Sequence, residues 1–167
     1  VMESFGMAMG PFRVMDQAGL DIGWANRQRL APTRARRVRY AEIADRLCER
    51  GWFGRKSGQG WYVYQADGTV LPNPEVEPII HTESARHGIE RRFFSMEEIQ
   101  HRVTLAMINE AARVLEEGIA LRPLDIDMVK VFGYGFPRWR GGPMHFADET
   151  GLDEILKALK GYAMTDD

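Results

Sequence analysis

The sequence predicts a mainly α-helical protein in which one helical unit is written twice, with a single short β-hairpin in the first copy. Three observations carry this. Two Gly/Pro corners are followed by the same residues at a constant offset of 132: Gly10-Pro11 by Asp16 and Gly19-Leu20-Asp21, and Gly142-Pro143 by Asp148 and Gly151-Leu152-Asp153. Phe5-Gly6 and Phe132-Gly133 also correspond, at an offset of 127, so the second copy holds five more residues in its turn. Agreement at fixed spacing marks an internal repeat. Around it, Ile99, Val103, Met107, Ala111 and Val114 recur at the helical period, while strand-like sequence is confined to Trp61–Tyr64, ahead of an Asp67-Gly68 turn signal.

The second copy shows its upstream half in full. Ser95 and Glu98 form a capping box, with a hydroxyl for the free N–H groups of a helix start and a glutamate three residues on. The helix they open runs from about Met96 to Glu117 and stops at Gly118. Pro123 opens a shorter helix through Val131, and Asp125 and Asp127 stand near its start, where carboxylates suit the dipole. Short helices follow the corner over Met144–Glu149 and Leu152–Lys160. In the first copy the chain begins inside the turn, and helices are expected over Phe12–Gln17 and Leu20–Arg29. Pro32 interrupts the pattern, an amphipathic helix covers Tyr40–Glu49, and Gly51–Gly60 is a loop. Leu71–Pro78 reads as a linker, with a helix over Glu77–His87. The expected domains are 1–74 for the first repeat, truncated at its N-terminus, 75–94 for the linker, and 95–167 for the second repeat.

Composition narrows the function classes. The 167 residues are 44% hydrophobic and 28% charged, ordinary for a globular chain. A net charge of −2 gives no global attraction to nucleic acid or anionic membrane. Nothing approaches the apolar length of a membrane span. Cys48 is the sole cysteine, which excludes an internal disulfide and a cysteine metal cluster, and points to a reducing compartment. The first residue is Val1, and a Gly/Pro turn follows almost at once, so the chain reads as a piece of a longer protein.

Each candidate motif has a plain structural alternative. The two corners are either tight turns between helices or turns placed against a ligand. In the Gly51–Gly60 loop, Lys56-Ser57 resembles a phosphate loop, but Arg55 stands where that motif needs glycine, so an ordered structural loop is expected. Arg27, Arg29, Arg34, Arg36, Arg37 and Arg39 form a basic run that could hold a phosphate-bearing ligand or be a solvated loop. No aromatic residue interleaves before Tyr40, so nucleic acid is not the expected partner. His81, His87, His101 and His145 show no metal-binding spacing, and no nucleophile elbow occurs. The residues form no complete catalytic constellation and no metal site.

Three separated stretches in order, Met9–Trp24, Arg50–Tyr64 and Ile108–Met144, resemble the C-terminal domains of 3-hydroxyacyl-CoA dehydrogenases. The duplication and the "GYGFPRWRGGPM" wording are most similar to the multifunctional enzymes of fatty-acid β-oxidation, of the peroxisomal bifunctional type and the bacterial fatty oxidation complex alpha subunit, which join an enoyl-CoA hydratase/isomerase half to the dehydrogenase. The resemblance implies a parent that oxidises L-3-hydroxyacyl-CoA to 3-ketoacyl-CoA with NAD, a histidine acting as base. It implies that NAD, that histidine and its orienting glutamate belong to a Rossmann domain upstream of Val1, so that no cofactor binds and no turnover occurs in this piece alone. The family's active-site Asn-Arg pair corresponds to His101-Arg102 here, so no catalytic role passes to His101.

On this resemblance the substrate-binding candidates are Met9, Gly10, Pro11 and Phe12, which match the family's corner beside the acyl-CoA cleft. The second corner, Gly141–Met144, is expected to serve packing. The implied partners are the upstream Rossmann domain, the acyl-CoA substrate, and a homodimer or an internal pseudo-dimer of the two repeats. The implied location is cytoplasmic, or peroxisomal in a eukaryote. A non-catalytic helical interaction module is the alternative.

Overall fold

A computed structural model of the chain describes residues 1–34 and 40–165. Arg36, Arg37 and Arg39 of the basic run lie outside the described residues. The described chain is helical apart from one two-stranded antiparallel ribbon, as the sequence predicts. Nine α-helices are present among the described residues, and none of them is long and apolar enough to cross a membrane. The chain divides into two compact units, Met9–Phe93 and Val1–Ala8 with Phe94–Asp167.

In the unit Met9–Phe93, α2 (Pro11–Ala18) and α3 (Leu20–Leu30) meet at Gly19. Helix α4 (Ile43–Glu49) and helix α5 (Val76–Arg86) complete the helical part, and strands β1 (Tyr62–Tyr64) and β2 (Val70–Pro72) form the ribbon. The core gathers Leu20, Leu47, Cys48, Val76 and Ile79, with Trp24, Trp52, Phe53 and Trp61 packed on it. Burial raises the Cys48 thiol above its ordinary pKa, so it is held as an inert thiol.

Two expectations shift here. The helix expected from Tyr40 starts at Ile43, because Tyr40 is used as a strap: its hydroxyl donates to Asp45 Oδ2 at 2.6 Å, beside the Arg27–Asp45 ion pair at 2.7 Å. The stretch expected as a linker is ordered. Asn73 is buried and donates to Gly60 O at 2.7 Å while accepting from Glu75 N at 3.1 Å, and Val76 and Ile79 carry α5 into the core.

In the second unit, α1 (Met2–Phe5) joins α6 (Met96–Glu116), α7 (Pro123–Gly133), α8 (Pro143–Thr150) and α9 (Leu152–Thr165). Ser95 Oγ accepts from Glu98 N at 3.1 Å, the hydroxyl half of the capping box, and the Glu98 carboxylate accepts from Arg102 Nε at 3.0 Å. One core cluster is Leu105, Ile108, Ala147 and Ile155. The other is Met2, Phe5 and Phe136, where the fully buried Phe5 ring meets Phe136 and Phe146 edge-on, each at 5.6 Å. Those aromatic contacts are why residues 1–8 belong with this unit, in place of the 1–74 grouping the sequence offers. Arg140 seals the cluster, its guanidinium 4.1 Å above Phe5 and its Nε donating to Phe5 O at 3.1 Å.

Asp125 pairs with Arg122 at 2.7 Å beside the start of α7, which holds its carboxyl below the usual range. Asp127 does something else. It is buried, and its two oxygens accept from Met144 N at 2.7 Å and His145 N at 3.0 Å, capping α8 instead of its own helix. One turn into α7, it faces the free N–H groups of a neighbouring helix start, which satisfies two donors at once.

The two copies share their local backbone. Helices α2 and α8 have eight residues each, both begin with proline, and both close on a glycine in nearly the same conformation, Gly19 at φ 101° and ψ 116°, Gly151 at φ 95° and ψ 120°. These closing glycines donate to Met15 O at 2.9 Å and Ala147 O at 3.0 Å, equivalent positions of the repeat.

Candidate functional site

Asp16 organises the first corner. It is 1% exposed on α2, and its carboxylate accepts from Trp61 N and Tyr62 N, both at 3.0 Å, and from Tyr64 Oη at 3.1 Å. One side chain thus ties α2 to β1. The glycines of the Gly51–Gly60 loop follow from this contact. A Cβ on Gly60 would lie 2.3 Å from Asp16 Oδ1, and one on Gly54 would lie 2.4 Å from Asp16 O. Only glycine lets the loop come so close. Burial and the Asp16 carboxylate push the Tyr64 phenol up to about 12, so it stays neutral and donates.

The loop's would-be phosphate ligands are occupied by the fold. Lys56 Nζ pairs with Asp21 at 2.5 Å, and Ser57 Oγ accepts from Phe53 N at 2.8 Å while it bonds the carbonyls of Gly54 and Gln59. The basic run is partly absorbed as well. Arg27 pairs with Asp45, Arg29 donates to Asn26 Oδ1 at 2.8 Å, and Arg34 lies 3.7 Å above the Tyr40 ring.

The four residues singled out by sequence stay together. Gly10 caps α2 in extended backbone (φ −68°, ψ 155°), and Pro11 is the first helical residue. Phe12 is 48% exposed and leans on Trp61, ring centroids 4.4 Å apart and planes at 37°. Met9 lines a recess of about 350 Å³ together with Arg13, Gln17, Arg55, Tyr64 and Gln65. Those polar neighbours were not foreseen. The available signal was Arg13 and Gln17 one helical turn apart, plus the Arg55 that breaks the phosphate-loop pattern.

The corner differs from its duplicate in exposure. Pro11, Phe12, Val14 and Met15 are all exposed, whereas Pro143 and Ala147 are buried and Met144 and Phe146 half-buried at the equivalent positions. The second corner is packed into its core and the first is not. Elsewhere, a groove of about 920 Å³ runs between α6 and α7, lined mainly by Val103, Met107, Val114, Ile119 and Val129. His101 lies outside it, with Nδ1 3.1 Å from Tyr162 Oη.

The family described as "3-hydroxyacyl-CoA dehydrogenase, C-terminal domain" matches residues 1–64 and 99–166. The peroxisomal bifunctional enzyme of Homo sapiens is 45% identical over 175 residues, which cover 97% of this chain and 24% of the relative. The enzyme of the same name from Danio rerio is 41% identical, over 96% of this chain and 24% of the relative. The fatty acid oxidation complex subunit alpha of Shewanella sp. (strain MR-7) is 32% identical over 95% of this chain and 22% of the relative. The chain therefore spans about a quarter of the length of these relatives. The crystal structure of the dehydrogenase part of multifunctional enzyme 1 from C. elegans shares the fold, with TM-score 0.63 and 23% identity over 81% of this chain and 30% of that one. With the family matched over both copies of the corner and most of the chain, the protein belongs to the 3-hydroxyacyl-CoA dehydrogenase family through its C-terminal domain.

Proposed function

We propose that this chain forms the C-terminal helical part of an enzyme of fatty-acid β-oxidation that oxidises L-3-hydroxyacyl-CoA to 3-ketoacyl-CoA with NAD. The relatives it matches are named as peroxisomal bifunctional enzymes and fatty acid oxidation complex alpha subunits, and an enoyl-CoA hydratase half belongs to this reading, as does a peroxisomal location in a eukaryote. The residues described here do not fit a dinucleotide. Their only sheet is the antiparallel β1–β2 ribbon, and the glycine loop closes on Asp16 instead of opening a helix after a parallel strand. NAD and the proton-transferring histidine are therefore assigned to a nucleotide domain outside this chain.

In this reading Met9, Gly10, Pro11 and Phe12 form a wall of the substrate cleft. The observation that carries it is the contrast between the corners: the same backbone buries its apolar residues in the second copy and leaves Phe12, Val14 and Met15 open in the first. Such a wall acts by shape and apolar contact. In the full dehydrogenase, Met9→Ala or Phe12→Ala is expected to lower kcat/KM by about 10- to 200-fold, the loss growing with acyl length. The pH profile keeps its form, because the base lies elsewhere. Equal losses for a short and a long 3-hydroxyacyl-CoA, corrected for folded fraction, would make these residues structural only.

A further inference from the structure

We propose that the recess beside Met9 is an anion site that takes a phosphate ester, with Arg13 and Arg55 as its cationic walls. The recess holds about 350 Å³ and lies wholly within the unit Met9–Phe93. A water occupies about 30 Å³ of liquid, so the space exceeds what a phosphate group needs.

Its charge is one-sided. Arg13 and Arg55 line it, the other polar side chains are the neutral Gln17, Tyr64 and Gln65, and no carboxylate does. Arg55 Nη1 donates to Gln17 Oε1 at 3.1 Å, which orients the guanidinium without neutralising it. Arg13 has no ion-pair partner among the described residues, and it acts on Tyr64 through its charge. Neither Asp16 nor Asp67 forms an ion pair with these guanidiniums among the described residues. Asp16 accepts from two backbone N–H groups and from Tyr64 Oη, and Asp67 accepts from Thr69 N at 2.9 Å. Three other arginines of this unit have an acidic partner: Arg27 has Asp45, and Arg46 and Arg86 share Glu42 and Glu83. Two guanidiniums left facing one concavity supply the fork-shaped donors that suit a phosphate dianion.

The identity of the ester rests on the substrate-wall reading above. Met9 belongs to both surfaces, so the anion fitting that reading is the phosphate-bearing nucleotide end of the CoA thioester. The probe is adenosine 3′,5′-bisphosphate, titrated calorimetrically into the 167-residue chain, with inorganic phosphate and adenosine as comparisons. Saturable binding is expected, weakened about tenfold by Arg13→Ala and by Arg55→Ala. It should be unaltered by Arg122→Ala, which removes the same charge from the other unit. Added salt should weaken it. Absence of saturable binding, or an equal loss in Arg122→Ala, would overturn the site. Inorganic phosphate binding as tightly as the bisphosphate would overturn the nucleotide assignment. The wall reading stands or falls separately, on the acyl-length dependence of Met9→Ala and Phe12→Ala in the full enzyme.

Discussion

Replacing Asp16 tests the link between α2 and the ribbon. The side chain is 1% exposed and accepts three hydrogen bonds at 3.0–3.1 Å, two of them from backbone N–H groups of Trp61 and Tyr62. Asp16→Ala strands both N–H groups and the Tyr64 hydroxyl. A buried donor left without a partner costs roughly 1–3 kcal/mol, so the sum, which is not strictly additive, comes to about 3–5 kcal/mol. Asp16→Asn keeps one acceptor oxygen but turns an NH2 toward a donor, and is expected to cost about 2 kcal/mol. Against a typical domain stability of about 5–15 kcal/mol, both are large. Urea unfolding followed by tryptophan fluorescence reads this well, because Trp24, Trp52 and Trp61 belong to the affected unit and Trp139 to the other. The duplicate supplies the control. Asp148 is the equivalent residue, is exposed, and should tolerate alanine within about 0.5 kcal/mol. If Asp16→Ala and Asp148→Ala unfold at the same urea concentration, the carboxylate does not hold the ribbon and the argument from its hydrogen bonds fails.

Two further outcomes follow from the same geometry. Gly142→Ala would set a Cβ 2.3–2.4 Å from the Asp127 carboxylate at φ 115°, whereas Gly118→Ala at φ 70° meets nothing within 4 Å. The first should therefore melt well below the second in a thermal scan, and equal melting points would refute the account of the α8 cap. The Asp21 carboxyl is held below its ordinary value of 3.8, chiefly by the hydrogen bond from Lys56. Its folded pKa is depressed, so its stabilisation is complete above the unfolded value and is lost as pH falls through the folded one. The stability gap between the parent and Lys56→Met should then shrink in acid, and a gap that is constant from neutral pH to about pH 2 would contradict it.

The helices and corners were legible because their signals are local. Ser95 caps, Pro123 and Pro143 open, and Gly118, Gly19 and Gly151 close, each through backbone preferences that act within a few residues. The roles of Asp127 and Asn73 were not legible, because their partners are 13 to 18 positions away in sequence. An aspartate near a helix start reads as that helix's own cap unless the neighbouring helix end is already placed. The strap of Tyr40 on Asp45 failed for a related reason: apolar periodicity extends the helix backward, and a single hydrogen bond ends it. At the candidate site, the family resemblance pointed to the corner at Met9–Phe12, whereas Arg55 reaches the recess only through a loop whose close approach Gly54 and Gly60 permit.

The duplicated corner sets one backbone in two packing environments. Helices α2 and α8 are the same length, open on proline and close on glycines within a few degrees of each other. What differs is the face that is covered. In α8, Pro143 and Ala147 stand one turn apart and are buried, Ala147 against Leu105, Ile108 and Ile155, so the exposed Asp148 beside them meets solvent. In α2 the covered face is rotated by one residue. The ribbon takes Asp16, and the positions equivalent to Pro143 and Ala147, namely Pro11 and Met15, stay open. A step of one residue turns a helix by about 100°, which is enough to exchange a core face for a free one. The open face then carries Phe12 and Met15, with Arg13 and Gln17 flanking them on the same helix. The geometry that leaves Phe12 and Met15 open is thus the geometry that brings Arg13 to the recess. The proposed apolar wall and the proposed anion site would both draw on α2, the wall through Pro11 and Phe12 and the recess through Arg13 and Gln17.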